Sequence, residues 1–313
     1  MGLILDLRNN GGGYMEPAVQ LADHFLSDRK LIVYMQGENI PRRDYRATSS
    51  GDFNDGRVVV LIDEGSASAS EIVAGAIQDW DRGILVGRRS FGKGLVQRPF
   101  MLTDGSMIRL TIARYYTPTG RLIQKPYDDG FEEYAKDLTK RFKNGEFGST
   151  DNIEFPDSLK YKTLVNKRTV YGGGGIMPDF FVPLDTSGYS NYYTKISSQG
   201  IINSYTLDFV DRNRDKLEQQ YTLFEDFNTS FTVSDDMISD LVQLAKNEGI
   251  EPDSEGIDIS GDKVKLIIKG LIARDIWDMS EFYEVVNKED AGFLKAIQIL
   301  QHSDQYLNEM EKN

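Results

Sequence analysis

Three serines in Gly65-Ser-Ala-Ser-Ala-Ser-Glu71, and a lysine enclosed by glycines in Ser90-Phe-Gly-Lys93-Gly94, are the residues of this chain best suited to covalent chemistry. The chain has only two histidines, His24 and His302, and neither lies near another triad candidate in the sequence. A serine nucleophile here would therefore need a base other than imidazole, and serine–lysine pairs are a known variant of that logic.

Ser66, Ser68 and Ser70 are all candidates, set among small residues that let a substrate backbone approach. A helix over 69–80 would aim its free N–H groups and the positive end of its dipole back at Ser68. The Ala69 N–H could then donate to an oxyanion on the carbon that Ser68 attacks. Ser68-x-x-Glu71 is equally a capping-box signature, so a purely structural serine fits the same text. A lysine acts as a base only where burial lowers its pKa from about 10.4. Gly92 and Gly94 allow a tight turn that presents Lys93 inward beside Phe91 and Leu95, and no carboxylate lies within eight residues of it. Gln97 could orient the lysine, but only across a bend, since four extended residues separate backbones by ~13 Å. Asp79 would stand ~16 Å from Ser68 along a helix; it is expected to order the helix end and the Arg82-Gly83 turn. The Gly11–Gly13 run after Asp6-Leu-Arg-Asn-Asn could expose a second oxyanion donor.

The elements that must hold these residues read as an α/β core. Residues 3–7, 58–62 and 84–86 are apolar enough for buried strands, with helical patterns over 17–25 and 69–80. Residues 106–116 alternate apolar Ile108, Leu110 and Ile112 with polar Arg109 and Thr111, as expected of a strand with one buried face, and Asp104-Gly105 signals a hairpin before them. Residues 126–170 are charged and broken by Gly and Pro, the pattern of a surface insertion. The core resumes at 171–184, so the core is expected over 1–125 and 171–184. Residues 185–313 read as an acidic, mainly helical region, with Ser234 as an N-cap and stripes at Ile238, Leu241, Val242, Ala245 and at Val264, Ile267, Ile268, Leu271.

A net charge of −13 over 313 residues argues against nucleic-acid binding, which needs a concentrated basic surface. The absence of Cys excludes disulfides and thiolate catalysis, and metal hydrolysis finds no His-Glu-x-x-His motif. Gly87-Arg-Arg-Ser-Phe-Gly92-Lys93 partly matches a phosphate-binding loop, but Gly94 stands where the metal-binding hydroxyl should be. The following residues 96–102 read as strand, where such a loop must open a helix. A strand beginning at residue 3 suggests a chain shortened at its N-terminus.

Five blocks carry a family resemblance. Asp6-Leu-Arg-Asn-Asn-Gly-Gly, Gly65-Ser-Ala-Ser-Ala-Ser-Glu71, Phe91-Gly-Lys-Gly94 with Gln97, Thr117-Pro118-x-Gly120-Arg121 and Gly175-Ile-x-Pro178-Asp179 occur in the order seen in carboxyl-terminal processing peptidases, or tail-specific proteases. The resemblance covers about residues 2–184. It implies a crotonase/Clp-protease-like α/β core with Ser68 as nucleophile, Lys93 as general base and Gln97 orienting the lysine. Ala69 and a glycine of the 11–13 run, here Gly12, would form the oxyanion hole. It further implies a serine endopeptidase that needs no cofactor and cleaves proteins near their C-termini. Its partners would be protein or peptide substrates held by their C-termini and further copies of itself, and its setting extracytoplasmic, periplasmic or membrane-associated in a full-length parent. The family's PDZ domain is not in this sequence, Asp63 and Ser90 stand where Asn and Thr are common, and residues 126–170 separate two core blocks. A shortened chain of this kind is expected to cleave poorly, with apolar surface exposed near residues 3–7. The alternative is a non-catalytic protein-binding module on the same fold.

Overall fold

Residues 1–48, 51–126 and 130–311 are described by a computed structural model. The first strands, β1 (Gly2–Asp6), β2 (Leu31–Gln36), β3 (Arg43–Arg46) and β4 (Arg57–Ile62), are joined by α1 (Met15–Asp23) after β1. Next come α2 (Ala69–Asp79), β5 (Ile84–Gly87), β6 (Leu95–Met101) and β7 (Met107–Tyr116). Two short helices, α3 (Phe131–Ala135) and α4 (Asp137–Lys143), precede β8 (Lys160–Lys162), β9 (Thr169–Tyr171) and β10 (Phe180–Phe181). Six helices follow: α5 (Asn191–Ser198), α6 (Ile201–Gln220), α7 (Phe224–Ser230), α8 (Asp235–Asn247), α9 (Ser254–Ile276) and α10 (Met279–Val286). The chain closes with α11 (Ala291–Gln301) and α12 (Ser303–Glu311).

Two compact units result, one of residues 1–184 with 291–313, the other of 185–290. In the first, β1, β4, β5 and β10 form a parallel sheet in that order. The run Val58–Val59–Val60–Leu61–Ile62 is buried throughout because both faces of β4 are covered. Val58, Val60 and Ile62 pack with Ile72, Val73, Ala76 and Ile77 of α2. Val59 and Leu61 face the other way, onto Ala296 and Ile299 of α11 and Tyr306 and Met310 beyond it. That second face explains why the helical region expected over 185–313 divides: its last two helices cover the sheet. The apolar residues of 3–7 are likewise half-buried or buried rather than exposed, with Ile4 packed into the α11 side and Leu7 in the core, while Asp6 is exposed. A second, antiparallel sheet runs β3-β2-β7-β6, its β6–β7 hairpin turning at Asp104-Gly105.

Residues 126–170, of which 127–129 lie outside the described residues, are not simply a solvated excursion. Arg141, Glu146, Thr163 and Arg168 are all buried, because each charged group has a partner inside. In the second unit, Ser234 Oγ accepts from Met237 N–H at the start of α8. Ile238, Leu241, Ala245, Val264, Ile268 and Leu271 are buried along its core, the faces that the spacing indicates. Among the described residues no helix is long and apolar enough to cross a membrane.

Candidate active site

The three serines separate cleanly. Ser66 is fully buried, its hydroxyl donating to Leu7 O at 2.7 Å and accepting from Asp63 N–H at 2.9 Å. Ser70 is buried and donates to Asn10 O at 2.9 Å. Both hydroxyls stitch the serine turn to the loop after β1. Ser68, half-exposed, is the N-cap of α2 with the capping box in place, so the structural reading of the motif is correct as far as it goes. Its backbone, however, has φ 56° and ψ −113°, a region that non-glycine residues occupy only under local strain. Strained serines at sharp strand-to-helix turns are a recognised way of exposing a nucleophilic Oγ.

The glycine-rich loop lies directly on this turn. A Cβ on Gly12, which has φ 83°, would come within 2.6 Å of Ala69 N and 2.5 Å of Ala67 O. Only glycine fits there. Among the described residues the Ala69 N–H has no acceptor, as expected for the first turn of a helix. The Gly12 N–H, by contrast, donates to Asn10 Oδ1 at 3.0 Å, so it is engaged rather than open. Asp63 fastens the same loop by accepting from the N–H groups of Asn9 and Gly65 through Oδ1. Burial pushes the Asp63 carboxyl up from its ordinary range.

Lys93 is half-buried in the loop between β5 and β6. No hydrogen bond joins the Ser68 and Lys93 side chains among the described residues; what brings the two together is a clamp on their backbones. Glu71 Oε2 accepts from Ser68 N–H at 2.8 Å and from Lys93 N–H at 2.9 Å. Its Oε1 accepts from Ser90 Oγ at 2.5 Å and Gly92 N–H at 2.7 Å. Four donors suit the anion, which has acceptors only, while complete burial works against it and pushes the carboxyl above its ordinary range. On the carbonyl side, the Tyr115 hydroxyl reaches both Ser68 O at 2.9 Å and Lys93 O at 2.5 Å. Burial raises its phenol well above the usual value, so it serves as a donor.

Gln97 is exposed on β6, paired with Thr111 just past an irregularity between Val96 and Gln97. The pairing register shifts there, yet no hydrogen bond from Gln97 to Lys93 is found among the described residues. Asp79 does not order the Arg82-Gly83 turn as expected. Its carboxylate is buried against Arg121 Nη2 at 2.5 Å and accepts from the N–H and Oγ1 of Thr119 at 2.9 and 2.7 Å. It thereby fixes the Thr117–Arg121 turn, while Arg82 donates to Phe25 O and Phe53 O. The loop ending at Lys93 is followed by strand β6, not by a helix, which removes the phosphate-loop reading. No cluster of His, Cys, Asp or Glu fit to hold a metal occurs among the described residues.

Glu71 was legible only as a cap, and Tyr115 not at all. A signal was available for the first only. Glu71 falls among Ile72, Val73 and Ala74 in a helix whose every residue is buried, where a carboxylate must find donors. Tyr115 shares the inward phase of Ala113 in β7, opposite to the face expected from the sequence: Ile108 and Leu110 are exposed and Ile112 is half-buried.

Residues 1–132 match the profile of peptidase family S41, and residues 192–278 match a family of unknown function, DUF8443. The chain is 43% identical over 124 residues to the chloroplastic C-terminal processing peptidase of Tetradesmus obliquus, covering 40% of this chain and 26% of that protein. It is 44% identical over 124 residues to the carboxyl-terminal-processing protease of Synechocystis, covering 40% and 29%. With the carboxy-terminal processing protease CtpA of Bacillus subtilis it shares 34% identity over 176 residues, covering 53% and 38%. Among solved structures, the photosystem II D1 C-terminal processing protease aligns over 39% of this chain and 32% of its own, at 43% identity and a TM-score of 0.38. The chain thus spans between about a quarter and two-fifths of the length of these curated relatives. Segment 1–132, which carries Ser68 and Lys93, is thus the part of the chain that resembles peptidase family S41.

Proposed function

We propose that this protein is a serine endopeptidase that cleaves proteins near their C-termini with Ser68 as nucleophile and Lys93 as general base. The observation that carries the reading is the double clamp: one buried carboxylate and one buried phenol hold the backbones of these two residues on both their N–H and C=O sides. Lys93 Nζ accepts the Ser68 Oγ proton as Oγ attacks the scissile carbonyl carbon. The resulting oxyanion is held by the Ala69 N–H at the head of α2, together with an N–H of the Gly11–Gly13 loop. Gly12 fills the second role once a carbonyl oxygen displaces Asn10 Oδ1; Gly11 and Gly13 are its neighbours in the same loop. Collapse returns the proton from Lys93 to the leaving amine and leaves an ester on Ser68, which water then hydrolyses by the same proton path. Proton transfer needs Oγ and Nζ within about 3.2 Å, a contact that resting sites often make only with substrate bound. Gln97 joins the site by orienting Lys93 in that closed arrangement. An extracytoplasmic setting is part of the proposal and rests on the family resemblance.

The test is cleavage of one peptide substrate with a free and with an amidated C-terminus by the wild type, Ser68→Ala and Ser66→Ala. Loss in Ser68→Ala alone, with a preference for the free C-terminus, supports the reading. Equal cleavage of both substrate forms sinks the tail specificity, and cleavage surviving Ser68→Ala sinks the nucleophile.

A further inference from the structure

The loop that carries Lys93 is held from outside by residues 130–147. Arg141, on α4, is only 4% exposed, and all three of its guanidinium nitrogens are occupied. Nη1 donates to Ser90 O at 3.0 Å, Nη2 to Arg89 O at 2.8 Å and Nε to Glu146 Oε1 at 2.7 Å. Glu146, itself buried, also takes both Nε and Nη2 of Arg89 at 2.7 Å each. Ser90 is where this cluster meets the site, because its hydroxyl donates to Glu71 Oε1 and accepts from Ile176 N–H at 2.7 Å.

A second contact holds the other end of the loop. Lys125 N–H donates to Gly92 O at 3.0 Å. Its ammonium lies between the rings of Phe91, at 4.1 Å, and Tyr134 of α3, at 4.2 Å, and is paired with Asp137 Oδ2 of α4 at 3.0 Å. Gly92 must be glycine at φ 87°, since a Cβ would stand 2.8 Å from Gly175 N. The loop has no slack on that side.

We propose that residues 130–147 brace the Lys93 loop, with Arg141 as a positioning residue that fixes Ser90, and through it Glu71, for the reaction of Ser68. The inference rests on the Ser68–Lys93 reading for its catalytic meaning, but the brace itself can be tested without it. Energetics favour a specifying role. Replacing a buried Arg–Glu–Arg cluster by well-packed apolar residues is often neutral or stabilising, so stability gives no reason for one here, while the bidentate Arg89–Glu146 pair sets direction as well as distance. The link from Arg141 to the Lys93 N–H runs through two carbonyls, one hydroxyl and one carboxylate.

The experiment compares wild type, Arg141→Gln and Arg141→Lys by amide hydrogen exchange and by peptide-cleavage kinetics. In Arg141→Gln the Gly92 and Lys93 amides, which donate to Glu71, should exchange at least about tenfold faster, while those of Val59–Leu61 in β4 stay within about twofold. kcat should fall by about tenfold or more with KM unchanged, because positioning is lost and substrate contacts are not. Arg141→Lys keeps the charge and should recover part of both effects; it also serves where Arg141→Gln does not fold. Unchanged protection of the 92–93 amides overturns the brace. Freed amides with an unchanged kcat overturn its catalytic role. If wild type and Ser68→Ala cleave alike, the Ser68–Lys93 reading falls, and the exchange data still decide the brace.

Discussion

Replacing Tyr115 by Phe deletes one hydroxyl and keeps a ring that is only 1% exposed, so its consequences can be worked out contact by contact. Ser68 O loses the phenol but retains the N–H groups of Glu71 and Ile72, at 3.0 and 3.1 Å. Lys93 O has no other donor among the described residues, so the penalty falls on the lysine side. One buried carbonyl left unsatisfied costs roughly 1–3 kcal/mol. For a unit of this size each kcal/mol lowers Tm by about 2–4 °C. The unsatisfied carbonyl can instead turn toward water and carry Lys93 with it. Displacement of a reacting group by about 1 Å costs on the order of a hundredfold in rate. Tyr115→Phe should therefore lower kcat by about ten- to a hundredfold, leave KM unchanged and reduce Tm by a few degrees. Steady-state kinetics on a peptide substrate and a thermal melt of the same preparation check both numbers. A lower Tm with kcat within twofold of wild type would refute the reasoning, since the hydroxyl would then hold the fold and not the lysine.

Gly12→Ala should both destabilise and inactivate. Its positive φ costs a non-glycine residue about 1–2 kcal/mol, and the new Cβ drives Ala69 N and Ala67 O apart; denaturant melts and cleavage assays read the two effects. Glu71 supplies the pH dependence of stability. Its folded pKa is raised by burial, so its contribution is fully present below the unfolded carboxylate range and lost as pH rises through the folded value. Urea melts of wild type and Glu71→Gln across that range should show a stability difference that shifts against wild type as pH rises; a difference independent of pH would contradict this. Gln97→Ala should leave reduced but measurable cleavage, because the residue stands in the strand beyond Lys93 and supports neither Ser68 nor the Glu71 clamp.

The parallel core was legible because its signals are local. The uninterrupted apolar run of β4 demands cover on both faces, and the small residues before α2 announce a close approach at a helix start. Asp104-Gly105 gave the β6–β7 hairpin for the same reason. What stayed hidden depends on residues far apart in the chain. Lys93 has no carboxylate within eight residues, yet Glu71, twenty-two positions away, receives its N–H. Residues 126–170 look solvated because their charges are visible in the sequence and the partners that bury those charges are not: Arg141 finds Arg89 O and Ser90 O some fifty residues upstream. Asp79 was tied to its chain neighbours when its partner, Arg121, lies forty-two residues on. The strain at Ser68 is likewise a backbone property that no side-chain pattern encodes.

The most direct measurement is where an acyl group lands. The protein is incubated with an activated ester such as a p-nitrophenyl acyl ester, quenched in acid, and its proteolytic peptides are analysed by mass spectrometry. The account predicts one acyl group on Ser68 in the wild type, with none in Ser68→Ala. Labelling should be nearly abolished in Lys93→Arg, because a guanidinium cannot take the serine proton. Acylation of another residue, or undiminished acylation of Ser68 in Lys93→Arg, would contradict it.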